Sequence, residues 1–250
     1  MVLRPNSGIA GDILAAGLCR MAGFEQNDLD EALKTLGLPE LAGKVSVAPR
    51  APAGIAGWGL ELSLPRERRH RTFADVEEHF RKSSVTPVAR ELAIASFRLL
   101  AEAEGAVHGV PPSAVHFHEV GALDSILDAG LSAVLFDLLS PDAFVSGPLP
   151  LCDGSITCAH GTLPSPAPAV CRLLEGVPVR GIDSEGETVT PTGISLLKAF
   201  GAVFGPWPDM AVDAQALCYG TRLLPGVPNG ALFAIGRLRA ARDDSGPGMG

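Results

Sequence analysis

The sequence predicts an α+β fold, a mixed short-stranded sheet with packed helices in one globular unit. Three observations point there. Apolar spacing switches repeatedly between the helical period of about 3.6 and the strand period of about 2. Helical and extended segments follow one another without the strict alternation of a doubly wound sheet. No internal repeat or linker divides the 250 residues, a length sufficient to bury a real core.

The elements follow in order. NSGIAGD turns through glycine into a helix bearing Leu14, Leu18 and Met21 and closing at Gly23. Asn27 is the expected cap of a second helix, with Leu29, Leu33 and Leu36 on one face and Gly37 as its stop. KVSVA (Lys44 to Ala48) and WGLELSL (Trp58 to Leu64) read as a hairpin with one buried face, because Trp58, Leu60, Leu62 and Leu64 alternate with small or polar residues. Thr72 and Asp75 form a capping box ahead of Phe73, Val76 and Phe80. Thr86 and Pro87 open a longer helix to about Val107, with Val88, Leu92, Ala95 and Leu99 as its apolar stripe. Short strands are expected at Phe144 to Val145 and Ser155 to Cys158, then a helix from Pro168 to about Glu175 closed by Gly176. TVTPTG (Thr188 to Gly193) leads into a helix with Ile194, Leu197 and Phe200, and strands follow at Ala211 to Leu217 and Ala231 to Leu238. Residues 1–238 are thus expected to form the domain, and RDDSGPGMG at the end of residues 239–250 a disordered tail.

Composition narrows the function. Twenty basic against 28 acidic residues give a net charge of −8, which disfavours nucleic acid as a partner. The one dense basic run, Arg66 to Arg71, reads as a solvated connector. No apolar run of about 18 residues occurs and no signal-peptide pattern opens the chain, so no membrane association is expected. Five cysteines without a CxxC spacing read as reduced thiols in a cytoplasmic protein; Cys152 and Cys158 are the two that can share a soft metal.

The chemistry concentrates in HFHEVGALDSILD, residues 116 to 128. In an extended segment His116 and His118 project from the same side and can share one metal, with Glu119 as a further ligand or a base. Gly121 then releases the chain into a helix. At roughly 100° per residue, Asp124 and Asp128 fall inside the apolar arc formed by Leu127, Leu131, Val134, Leu135, Leu138 and Leu139. A carboxylate buried there needs a cation, a metal or backbone donors. His160, in a stiff Gly/Pro loop, is a further candidate ligand, and Asp12 stands just inside a helix start. Gly8 and Gly11, with Thr190, Thr192 and Gly193, mark two glycine turns that can offer N–H groups to a phosphate.

These segments resemble the LarC family of nickel insertion proteins. The likeness is carried by HFHEVGALDSILD, LAEAEGAVHG (Leu100 to Gly109), AHGTLPSPAPA (Ala159 to Ala169), TVTPTGISLL (Thr188 to Leu197), SGIAGD and RHRTFADV (Arg69 to Val76), in order from about Ser7 to Leu238. The resemblance implies insertion of nickel into a pyridinium-3,5-bisthiocarboxylic acid mononucleotide, with a metal–carbon bond formed, to give the nickel-pincer cofactor of lactate racemase. It implies a requirement for CTP with Mg or Mn, handled by a C-terminal region or separate polypeptide, so that the chain resembles the N-terminal part alone. The start is expected to lack the strand that precedes the family's glycine motif. CYGTRLLPGVPN (Cys218 to Asn229) is similar to a family motif but shorter, with leucine where an acidic residue is usual.

Three functions follow as expectations. In the first, His116, His118, Glu119 and His160 handle nickel, Asp124, Asp128 and Glu119 orient the imidazoles or accept protons, and the glycine turns with Asp12 hold the substrate. In the second, the chain is a non-catalytic nickel carrier or scaffold that serves the CTP-using polypeptide. The third is an unrelated hydrolase with an HxH metal site. Assembly into a homo-oligomer is left open.

Overall fold

The computed structural model describes residues 1–63, 71–117, 121–158 and 161–239. The chain begins with strand β1 (Val2–Pro5), followed by helices α1 (Gly11–Ala22) and α2 (Gln26–Thr35). Strands β2 (Val45–Arg50) and β3 (Gly57–Leu62) form the expected antiparallel hairpin, with Val47 opposite Leu60. Next come β4 (Arg71–Thr72), α3 (Phe73–Lys82), α4 (Pro87–His108), β5 (His116–Phe117) and α5 (Leu123–Leu139). The short strands β6 (Val145–Ser146), β7 (Leu149–Leu151), β8 (Ser155–Cys158) and β9 (Gly161–Pro164) precede α6 (Pro168–Leu173) and β10 (Val179–Gly181). The described residues end with α7 (Pro191–Ala199), β11 (Val203–Phe204), β12 (Met210–Cys218) and β13 (Ala231–Leu238).

Seven strands join in the order β11-β6-β1-β13-β12-β3-β2, and both parallel and antiparallel pairs occur. The α+β expectation therefore holds. Leu3 and Phe233 are register partners on the helix side of the sheet, and the Phe233 ring lies against Gly17 of α1. Helix α5 packs among α1, α2, α4 and α7 rather than on the sheet, which explains why it is apolar nearly all round. Phe80, Phe97 and Phe117 form a chain of ring contacts at 6.0 and 5.8 Å that ties α3, α4 and β5 together. Each ring is at most 1% exposed, so each contributes about 1.5–3 kcal/mol of burial.

Several local signals act as read. Thr72 and Asp75 exchange capping hydrogen bonds at the start of α3, Thr86 caps α4, and Gly23 closes α1 in the left-handed conformation. Others differ. A strand does precede the glycine motif: β1 lies inside the sheet between β6 and β13. Its four residues show no clean alternation, and its partners are far away in sequence, so no local pattern announces it. Helix α2 is capped by Glu25 with Asp28, two residues before Asn27. On α4 the buried face runs through Ala93, Phe97 and Leu100 while Val88 is exposed, because α3, α5, α6 and α7 all pack against it. Leu138, expected in the apolar arc of α5, is likewise exposed. Leu64, the stretch of the basic run from Arg66 to His70, and the tail from residue 240 lie outside the described residues.

Candidate functional site

The loop after β1 and the loop before α7 lie side by side. Ile9 and Val189 form a parallel bridge, in which Ile9 N–H donates to Thr188 O at 2.9 Å and Thr190 N–H to Ile9 O at 3.1 Å. Gly8, with φ 150°, fits directly against the Thr188 carbonyl, and Gly193 packs on Ile9. The Thr190 hydroxyl accepts from Gly193 N–H and caps α7. This pairing brings the starts of α1 and α7 together.

The start of α5 joins them. A Cβ built on Gly11, the first residue of α1, falls 2.6 Å from Asp128 Oδ2 and 2.9 Å from Thr192 Cγ2, so only glycine permits that approach. On the other side of α5, the Arg71 guanidinium donates to Gly121 O at 2.7 Å and fixes the entry to the helix.

A cleft of about 770 Å³ opens over these helix starts. One wall carries Asp12, Asp124, Asp128, Thr190 and Thr192; the other is the β2–β3 hairpin with Lys44, Ser46, Arg50 and Glu61, and Thr221 adds a hydroxyl from the loop after β12. A smaller pocket of about 140 Å³ shares Asp12, Thr190 and Thr221 and reaches Arg222 and Glu187.

The acidic wall is electrostatically tense. Asp128 accepts no hydrogen bond among the described residues; burial pushes its carboxyl well above the usual carboxylate range, and the charges of Asp12 and Asp124 push it further. Asp12 is also raised by burial, while the Ile13 N–H, which donates to it at 2.8 Å, and the Arg50 charge pull it back. Asp124 is exposed, with Ser125 N–H donating to its carboxylate, so the expectation that both aspartates lie inside the apolar arc holds for Asp128 alone.

The structure thus brings together Gly8, Gly11, Asp12, Asp124, Asp128, Thr190, Thr192 and Gly193 from three distant segments. His116 stands elsewhere: it is exposed on β5 opposite Thr72 and does not line the cleft. His118, Glu119 and His160 lie outside the described residues. Among the described residues no three His, Cys, Asp or Glu side chains are grouped so as to hold a metal ion. The Cys152 thiol donates instead to Gly186 O, and Cys158 sits in the β8–β9 hairpin opposite Gly161.

Sequence reasoning missed Arg50, Lys44, Glu61 and Thr221. One signal was present. The polar face of β3 carries Gly57 and Gly59, and Arg50 lies across the hairpin in the space they leave: a Cβ at Gly59 would stand 2.4 Å from Arg50 Nε.

Comparison with known proteins identifies the relatives of this chain. A family model described as nickel insertion protein matches residues 1–245. A curated relative from Geotalea daltonii, named "Putative nickel insertion protein", is 38% identical over 230 residues, covering 92% of this chain and 59% of the relative. Proteins of the same name from Geobacter metallireducens and Myxococcus xanthus are both 39% identical, over 89% and 98% of this chain and 57% and 62% of their own lengths. The chain spans about three fifths of the length of these relatives. No solved structure matches it.

Proposed function

Because the chain belongs to the nickel insertion protein family, we propose that it takes part in placing Ni²⁺ into a pyridinium-3,5-bisthiocarboxylic acid mononucleotide, forming the nickel-pincer cofactor of lactate racemase. Membership in that family displaces the reading as an unrelated hydrolase. The observation that carries the proposal is the cleft where α1, α5 and α7 begin: it is large enough for a mononucleotide and offers a carboxyl, Asp128, poised to exchange a proton.

The chemistry sets the roles. A metal–carbon bond on the pyridinium ring forms as a ring proton leaves, so the reaction needs a metal ion and a proton acceptor on one side of the ring. Asp128 in its ionised form accepts that proton, and Asp12 shares the negative field that attracts the metal. Nickel is cargo, delivered to the substrate and leaving with it, for which the histidines at 116, 118 and 160 with Glu119 are the entry ligands; imidazole suits nickel. Gly8, Gly11, Thr190, Thr192 and Gly193 shape the floor of the cleft. CTP, with Mg or Mn, acts through the part of the relatives that this chain does not span, and the whole reaction is placed in the cytoplasm.

The second reading is a nickel carrier or scaffold that serves a partner polypeptide. Reconstitution decides between them. The chain is combined with Ni²⁺, CTP and the pyridinium substrate, with and without a C-terminal polypeptide from a relative, and the nickelated product is followed by mass. Product that depends on Asp128 supports catalysis by this chain. Product formed equally well with Asp128→Asn supports the carrier, and no product with the complete set refutes the proposal.

A further inference from the structure

Opposite the acidic wall stands a cation that no role has yet used. Arg50 ends β2, and its side chain crosses the hairpin over Gly59, where a Cβ would fall within 2.8 Å of three of its atoms. Two of its N–H groups are fixed on backbone carbonyls, Nη1 to Gly220 O at 2.8 Å and Nη2 to Leu60 O at 3.4 Å. A guanidinium carries about five such donors, so others remain, and Arg50 makes no ion pair among the described residues. The plane of the group is therefore held by the protein, and the residue lines the cleft. Lys44, the residue just before β2, has the same parity as Arg50 along the chain and also lines the cleft.

We propose that Arg50, supported by Lys44, is the receptor for the phosphate monoester of the mononucleotide, and that it sets the direction in which the substrate lies. The proposal rests on the reading of the cleft as the substrate's seat. Charge dictates the direction. Asp12, Asp124 and Asp128 repel a phosphate and attract a metal ion and a positively charged ring, whereas the hairpin sets two cations, Arg50 and Lys44, against the single carboxyl of Glu61, and a preorganised guanidinium takes two phosphate oxygens at once. A phosphate at the hairpin places the ring at the acidic wall, next to Asp128. The glycine turns at Gly8 and Gly193, by contrast, are filled by each other's backbone.

The test uses two soluble probes, nicotinic acid mononucleotide and its phosphate-free riboside, titrated into the full chain by calorimetry. The wild-type protein should bind the mononucleotide about tenfold or more tightly than the riboside, the worth of one charge-assisted hydrogen bond. Arg50→Met should erase that preference and leave riboside affinity within about twofold, and Arg50→Lys should keep only part of it. Three results overturn the proposal: no preference in the wild type, equal weakening of both probes in Arg50→Met, or unchanged mononucleotide affinity in that variant. Should Arg50→Met fail to fold, Arg50→Lys decides, since binding equal to wild type overturns the fixed-fork geometry and a loss confined to the mononucleotide supports it. Nickel transfer is not read in this experiment, so its outcome and that of the reconstitution are independent.

Discussion

Replacing Asp128 by Asn should stabilise the protein at neutral and alkaline pH and leave it unchanged in acid. The Asp128 carboxyl is raised in the folded state by burial and by the charges of Asp12 and Asp124. In the unfolded chain it titrates near the ordinary aspartate value of about 3.9. Between that value and the raised folded value the native state holds a proton that the unfolded state has lost, so stability falls as pH rises through the window. Below the unfolded value both states are protonated and the penalty vanishes; above the folded value it is present in full. Asn keeps the shape and cannot ionise. A partly buried charged group without hydrogen-bond partners costs about 1–3 kcal/mol, which for a chain of this size corresponds to roughly 2–4 °C in Tm per kcal/mol. Urea unfolding of both proteins at pH 4, 6 and 8 checks this. The difference should grow with pH to about 1–3 kcal/mol. A difference that is constant with pH, or that favours the wild type more strongly as pH rises, refutes the reasoning. Product formation should fall in the same variant, because the proton acceptor is gone.

Gly11→Ala should cost about 1–3 kcal/mol by overpacking, since the new methyl meets Asp128 and Thr192 at under 3.0 Å, and thermal melts will show it. Tyr219→Phe removes the hydrogen bond from the buried phenol to Ile55 O at 3.0 Å. It should cost about 1 kcal/mol and speed amide exchange in β2 and β3 relative to β13; uniform exchange rates would count against a local latch. Arg4→Met should be neutral or stabilising by up to about 1–2 kcal/mol in urea unfolding, because among the described residues Arg4 Nε and Nη2 are buried without hydrogen-bond partners and Nη1 alone reaches a carbonyl, that of Gly205. A loss above about 2 kcal/mol would show that the stacking of Arg4 on Trp207 outweighs the unmet donors.

What was legible in the chain was local. Capping at Thr72 and Thr86, the helix end at Gly23 and the alternation of β3 depend on neighbours within a few residues, and the structure follows them. The exposed Val88 and the buried Ala93 of α4 show where that ends, since a helix with several packing partners buries a face that its own spacing does not select. The strand β1 was invisible for the same reason. Val2 pairs with Ala234 and Val145, and nothing within its own four residues states that. In the cleft, Asp12 and Thr190 were legible because each sits beside a glycine turn or at a helix start, and Asp128 because its wheel position sets a carboxylate among leucines. Arg50 was not, because a cation at the end of a strand is ordinary until a hairpin carries it to the opposite wall.

The two walls are joined differently, and this bears on how the cleft works. The acidic wall is built from helices that interlock: Gly11 of α1 meets Asp128 of α5 and Thr192 of α7 at the same point. The hairpin, by contrast, joins the sheet through one register pair, Cys218 with Trp58, and the Tyr219 N–H to Trp58 O bond at 2.7 Å. Its other ties include Tyr219 to Ile55, Arg50 to Gly220, Gln26 Nε2 to Val45 O at 2.9 Å, the Arg20 guanidinium stacked 3.8 Å over Trp58, and the burial of Val45 and Leu60 in the core. The hairpin is thus tied to the sheet by little backbone pairing and depends on its one packed face, whereas the acidic wall is held by packing among three helices. On the proposed reading, a substrate that bridges both walls, phosphate on Arg50 and ring against Asp128, adds contacts that tie the hairpin to the helical wall. On that reading the ring also covers the Asp128 carboxyl, so that water is excluded where the proposed proton exchange takes place.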